Sequence, residues 1–307
     1  MARPLRIEFP GAFYHITSRG NERKEIFRSR ADREKFLSYL ESAIDRYGVT
    51  VHVYCLMTNH YHLLLETPRG NLSHFMRYLN GAYTTYFNVK RKRSGHLFQG
   101  RYKAIVVDAD EYAIELSRYI HLNPVRAHLV AKPQEHEWSS YRSYSGISVA
   151  PTWLSRQLIL SAFGMKEKKY KEFVEDLLGT ETQNPFAAVV ASTLLGSPEF
   201  VAEIAEGHVK GRKNLQGVPS ARALVEGVSV EDIIRKTEEI VAGTELARKI
   251  AIHLCHRYGG GNLKTIGARF GICDSAVSQA SKRFAAKAEN DVEVMRMVEK
   301  VRLELNL

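Results

Sequence analysis

Cysteine is scarce in this 307-residue chain. Cys55, Cys255 and Cys273 are the whole complement, they form no C-x-x-C pair, and three thiols are too few for a disulfide framework. Nothing in their placement looks like a thiol enzyme, and a reducing compartment is favoured. Long apolar runs are missing as well. The longest, FAAVVASTLLG from Phe186, falls well short of the ~20 residues a membrane span needs, and the N-terminus carries no secretory apolar segment. The expectation is a cytoplasmic protein without a membrane association. There is no internal repeat, no low-complexity tract and no Walker-type phosphate loop.

What the chain does have is positive charge. Forty-four Lys+Arg stand against 34 Asp+Glu, a formal net charge of +10. The excess is uneven: residues 1–148 hold 22 basic against 14 acidic side chains, leaving 22 against 20 for the remainder. A positive field attracts phosphates and releases their counterions, so a polyanionic partner is expected, engaged mainly by the first half.

That first half alternates strand-like and helix-like patterns. AFYHITS (12–18) alternates and is rich in β-formers, whereas RADREKFLSYLESAIDRYG spaces Phe36, Leu37, Leu40, Ala43, Ile44 and Tyr47 as a helix stopping at Gly48. VTVHVYCLM and YHLLLET read as two strands about a turn at Thr58 and Asn59. A long helix follows over NLSHFMRYLNGAYTTYFNVK, then a strand at YKAIVVD and a helix over ADEYAIELSRYIHL that is expected to end before Pro124. The order β-α-β-β-α-β is the split βαβ pattern. It predicts an α+β domain with a ferredoxin-like four-stranded antiparallel sheet, helices on one face and the other face open, followed by an all-α C-terminal region.

Three segments result: a sheet domain over 1–148, a helical connecting region over 149–240 and a C-terminal domain over 241–307. In the connecting region, Lys210, Arg212 and Lys213 sit in a glycine-rich basic stretch read as a solvated loop, with phosphate contact as the alternative. In the last segment, one helix is expected between a Thr244 cap and Gly259. The next stretch, NLKTIGARFGICDSAVSQASKRFAAK, spaces Ile266, Phe270, Ile272 and Val277 like a helix-turn-helix turning at Gly271. Its second helix would offer Ser275, Ser278, Gln279, Lys282 and Arg283 to a DNA major groove; a plain helical hairpin is the alternative.

The chemistry-bearing residues lie in the sheet domain. His60 and His62 in NHYHLLLE are one residue apart, and in a strand positions i and i+2 project from one face. Two buried imidazoles in an apolar strand need partners, which a metal ion would supply. In SRYIHLNPVRAHLV, Tyr119 and Asn123 are four apart and stack on one helix face. If that face lies over the histidine strand, the Asn123 amide oxygen completes a two-nitrogen, one-oxygen site beside a phenol. A phenol's reference pKa of ~10 leaves about one in a thousand ionised at pH 7, so a nucleophilic tyrosine needs a cation or a polarised phosphorus. A divalent ion on a phosphate supplies the latter. Attack on DNA would give a phosphotyrosine whose reversal rejoins strands without ATP.

The blocks YHITSRGNERKEIF, MTNHYHLLLE, LFQGRYKAIVVD and RYIHLNPVRAHLV, in this order over residues 5–145, resemble the single-tyrosine HUH transposases (IS200-like), and within them the REP-associated tyrosine transposases of bacteria. The resemblance implies a ferredoxin-like fold, His60 and His62 as the HUH metal ligands, Asn123 as the third ligand and Tyr119 as the nucleophile. It implies Mg²⁺ or Mn²⁺ as cofactor, a 5′-phosphotyrosine intermediate, and cleavage of single-stranded DNA beside a hairpin formed by an imperfect palindrome. It also implies a monomer, with a dimer as the alternative seen in related transposases.

Supporting residues follow. His15, Arg19 and Asn21 are candidates for base or phosphate recognition, a structural role for His15 being the alternative. Lys90, Arg91, Lys92, Arg93, Arg101 and Lys103, interleaved with Phe98 and Tyr102, suit a surface that grips phosphates and stacks bases. Arg126 is expected to line the site. LKTIGARFGICDSAVSQASKR resembles the DNA-binding domain of the bacterial replication initiator, which implies contact with flanking duplex DNA, protein contact being the alternative. Its loop departs from that pattern, so no particular sequence is carried over. The rival reading is a non-catalytic helix-turn-helix regulator. A histidine phosphoesterase fits poorly, because a second H-x-T is absent and Leu64 stands where a third alternating histidine would be.

Overall fold

The computed structural model describes residues 6–180, 185–210, 228–241, 245–259, 263–288, 291–305 and 307. The Thr244 cap and the loop cations Arg212 and Lys213 lie outside the described residues. The chain divides into two compact units, one spanning Arg6–Val189 and the other containing Val190–Leu307.

The first unit opens with β1 (Ala12–Arg19), α1 (Arg30–Tyr47), β2 (Thr50–Leu56), β3 (His60–Thr67), α2 (Leu72–Lys90), β4 (Lys103–Val107) and α3 (Ala109–Arg126). Within it the strands stand in the order β2, β3, β1, β4, each antiparallel to its neighbour. Alternation assigns the two faces. Tyr14 and Ile16 pair with Leu65 and Leu63; all are fully buried, on the face where Tyr61 meets Phe36 of α1 at 4.7 Å between ring centroids. His15 and Thr17, one position out of phase, share the opposite face with Leu64 and His62. α1 starts at Ser29, whose hydroxyl accepts from the Asp32 amide at 3.3 Å, and stops at Gly48 in the left-handed region, φ 63°.

Two details differ from expectation. Pro124 does not end α3, which runs on to Arg126. A proline in the last turn removes only one intrahelical bond, and the turn still closes through Ala127 N–H to Asn123 O at 2.9 Å. Nor is the second sheet face open throughout, because α3 packs on β2 and β3. A buried network holds it there. His121 Nδ1 is 2.7 Å from Tyr170 Oη and Nε2 is 2.7 Å from Ser140 Oγ, and Ser140 Oγ donates to the Tyr54 carbonyl of β2 at 3.2 Å. Burial pushes His121 down to about 3, so the ring is neutral and offers one donor and one acceptor. The unit continues with α4 (Tyr141–Tyr144), α5 (Gln157–Ser161), α6 (Glu167–Glu175) and a 3-10 turn at Pro185–Ala188.

The second unit is largely helical: α7 (Pro198–Ile204), α8 (Val230–Val241), α9 (Glu245–Tyr258), α10 (Leu263–Phe270), α11 (Asp274–Ala288) and α12 (Val292–Glu304). Ile233, Ile250, Leu254, Ile266, Val277 and Val301 build its core. The α10–α11 turn passes through Gly271 at φ 66°. The backbones approach so closely that a Cβ at Gly267 would lie 2.5 Å from the Ile272 carbonyl oxygen. Among the described residues no helix is long and apolar enough to cross a membrane.

Candidate active site

β3 delivers His60 and His62 to one face, their ring centroids 5.0 Å apart. Each ring is held by its Nδ1. His60 Nδ1 lies 2.6 Å from Asn59 Oδ1, and the Asn59 amide nitrogen donates to the Arg23 carbonyl at 2.9 Å. That second bond fixes which end of the amide faces His60, so Nδ1 must carry the proton and Nε2 the lone pair. His62 Nδ1 lies 3.0 Å from Nε2 of His15 on the neighbouring strand, and its own Nε2 is buried without a hydrogen-bond partner. Burial, then the Arg19 charge, pushes His60 down to about 4. Burial, then the neighbouring His15 and His60, holds His62 well below its ordinary value. Burial alone takes His15 to about 3. At neutral pH all three rings are therefore uncharged.

α3 crosses this face and brings Tyr119 to His62, ring centroids 6.5 Å apart and edge-on. Because the helix does not stop at Pro124, Tyr119, Asn123 and Arg126 recur at i, i+4 and i+7 on one side. The Arg126 guanidinium lies 4.4 Å over the Tyr119 ring. Asn123 Nδ2 is buried without a partner. No motif singled out Phe186, which lies in the 3-10 turn at Pro185–Ala188. Its ring stacks on His15 at 4.6 Å and meets Tyr119 edge-on at 5.1 Å.

Residues 9–123 match the family model described as transposase IS200 like. The matched segment contains all four strands, both histidines of β3, Tyr119 and Asn123. A solved structure titled "Structure of the REP associates tyrosine transposase bound to a REP hairpin" is similar at 14% identity and a TM-score of 0.41, covering 50% of this chain and 92% of that one. No curated protein matches the sequence.

The family that the matched model describes generally uses a divalent metal. Among the described residues, no group of three or more His, Cys, Asp and Glu side chains is placed to hold one. The donors expected from sequence are of another kind, two imidazoles and an amide. That set fits a cation on two counts. The His60 tautomer leaves Nε2 unprotonated, and the buried Nε2 of His62 has no protein partner. The Asn123 amide also has a buried atom without a partner; a half-turn of its amide exchanges that nitrogen for oxygen. Two nitrogens and one oxygen suit Mn²⁺ at least as well as Mg²⁺.

The remaining candidates are dispersed. Arg19, exposed, pairs across strands with His60. The loop between α2 and β4 is tied to the same end of β1, with Gln99 N–H donating to Arg19 O at 2.8 Å and Asn21 N–H to Leu97 O at 2.9 Å. This brings exposed Asn21, Arg101 and Lys103 to that end of the sheet. A groove of about 610 Å³ runs along α2 beside the loop, lined by Arg6, Arg77, Asn80, Thr84, His96 and Arg101. Lys90 and Arg91 instead turn to buried Asp32, each at 2.6 Å, while Lys92 is exposed and Arg93 donates to the His96 carbonyl. Phe98 is only 8% exposed and packs edge-on against Tyr61, and the Tyr102 ring carries Arg6 at 4.2 Å. In the helical unit Ser275, Gln279, Lys282 and Arg283 are exposed on α11, whereas half-buried Ser278 bonds His256 Nε2 at 3.2 Å.

Proposed function

We propose that this chain is a metal-dependent tyrosine transposase of the cytoplasm. It cleaves and rejoins single-stranded DNA at imperfect-palindrome hairpins through a 5′-phosphotyrosine, acting as a monomer. The observation that carries the reading is Tyr119 on α3 standing against His62 of the histidine pair, within the segment that matches the transposase family. His60, His62 and Asn123 would hold Mg²⁺ or Mn²⁺, which when bound polarises the scissile phosphate and offsets its developing charge.

The chain's own residues supply the rest. The Tyr119 oxygen forms the new bond to phosphorus and gives its proton to solvent. The bond from phosphorus to the 3′-oxygen breaks, and that oxygen departs as a hydroxyl after taking up a proton. Attack by a 3′-hydroxyl on the tyrosine ester reverses the sequence and releases the phenol, so rejoining needs no nucleotide cofactor. Arg126 keeps a fixed positive charge beside the phenol, where an anionic backbone must approach. Arg19, Asn21, Arg101 and Lys103, gathered at the same sheet end, grip phosphates of the single strand. Gln279, Lys282 and Arg283 of α11 contact flanking duplex DNA.

The test uses palindromic hairpin oligonucleotides with single-stranded flanks and either metal. The wild type is expected to form a covalent adduct stable to denaturing electrophoresis. Tyr119→Phe is expected to abolish it while leaving hairpin binding largely intact. An adduct that persists in this variant removes Tyr119 as nucleophile.

A further inference from the structure

We infer that His15 is a positioning residue for metal binding: it fixes the tautomer and the ring orientation of His62. The inference rests on the metal-site reading above and assigns His15 a part in it distinct from DNA contact. His15 is 3% exposed, so it is no surface for bases or phosphates. Its Nε2 is engaged with His62 Nδ1 at 3.0 Å, so that nitrogen is not a ligand either.

One hydrogen bond between two imidazole nitrogens holds one proton, and two arrangements are open. If His15 donates, His62 must carry its own proton on Nε2, where it would be a buried donor with no acceptor. If His62 donates, its Nε2 bears a lone pair aimed into the site. A cation on Nε2 demands the second arrangement, and the partner on Nδ1 then sets the ring's direction and its basicity. His15 is held in turn. It sits on β1, whose register places it diagonally across from His62. The rings of His15 and His62 lie nearly parallel, 22° apart, and the Phe186 ring packs on His15 at 4.6 Å. His60 is built the same way with Asn59 as the acceptor, so both ligand rings are oriented through Nδ1.

Two measurements on the full chain test this. Long-range proton–nitrogen correlation spectra of metal-free, histidine-labelled wild type should show His62 protonated at Nδ1; a proton on Nε2 overturns the inference without any variant. Mn²⁺ affinity, read by titration calorimetry, should fall roughly 10- to 100-fold in His15→Phe, which keeps a ring but has no acceptor. His15→Gln, which restores an acceptor, should recover most of it. Unchanged Mn²⁺ affinity in a folded His15→Phe, with tight binding by the wild type, overturns the role of His15 alone. Absence of Mn²⁺ binding by the wild type, or binding that survives the double change His60→Ala and His62→Ala, overturns the metal reading and the role of His15 with it.

Discussion

Asp32 shows how one buried carboxylate can redirect a surface motif. It is fully buried at the start of α1, and Lys90 and Arg91 reach it from the end of α2, each at 2.6 Å. Of four adjacent basic residues, two are therefore committed to the fold. Burial works to raise the carboxyl's pKa, but hydrogen bonds from Lys90, Arg91 and the Arg28 amide outweigh it and hold the group at about 2, against 3.8 ordinarily. A folded-state value below the unfolded one contributes stability above pH ~4 that is lost as pH falls from about 4 to about 2. The amount is about 2 kcal/mol. Acid titration monitored by circular dichroism should show Asp32→Asn less stable than wild type at neutral pH, with a smaller loss across that window. Arg91→Ala should likewise cost about 1–3 kcal/mol in denaturant melts, by leaving the buried acid short of a donor.

α3 is the element on which the site depends, and its middle and its last turn are held differently. The His121 network anchors its middle to β2 and α6. Its last turn passes through Pro124 and so delivers Arg126 over Tyr119. The other side of the site depends on the turn after β1, where Gly20 packs with no room for a side chain. A Cβ there would lie 2.0 Å from the Lys24 carbonyl oxygen, so Gly20→Ala must push that backbone away. The same turn carries Asn21 and is bonded to Asn59 O and Leu97 O. Thermal unfolding should register a loss of about 1–3 kcal/mol for Gly20→Ala, accompanied by weaker single-strand binding. A variant with wild-type stability and binding would show that the turn is free to shift.

Across the whole molecule the charge is uneven, with +8 of the +10 carried by residues 1–148, the half to which the proposed DNA chemistry is assigned. Binding to single-stranded DNA should therefore weaken linearly on a log–log plot against salt, with a slope of about −0.7 per phosphate contacted. Exposed Lys92 is expected to account for one contact: Lys92→Ala should reduce the slope by about 0.7 in fluorescence-anisotropy titrations. Affinity that ignores salt would contradict a phosphate-gripping surface. The same charge reading, applied to Lys90 and Arg91 from sequence alone, could not have separated them from Lys92. The three are consecutive, and only the fold shows which of them faces Asp32.

Periodicity and turn chemistry were enough to read the sheet domain and the helical region after it. Alternation and 3.6-residue spacing are local properties that survive tertiary packing in β1, β3, α1 and α2. The i, i+2 histidines and the i, i+4 tyrosine–asparagine pair were visible for the same reason. Contacts between residues far apart in the chain were not. The meeting of His15 with His62, the packing of Phe186 against His15 and Tyr119, the capture of Lys90 and Arg91 by Asp32, and the persistence of α3 through Pro124 all belong to the folded chain. Which polar groups share a buried space depends on strand register and helix placement, and those are settled only when the whole core closes.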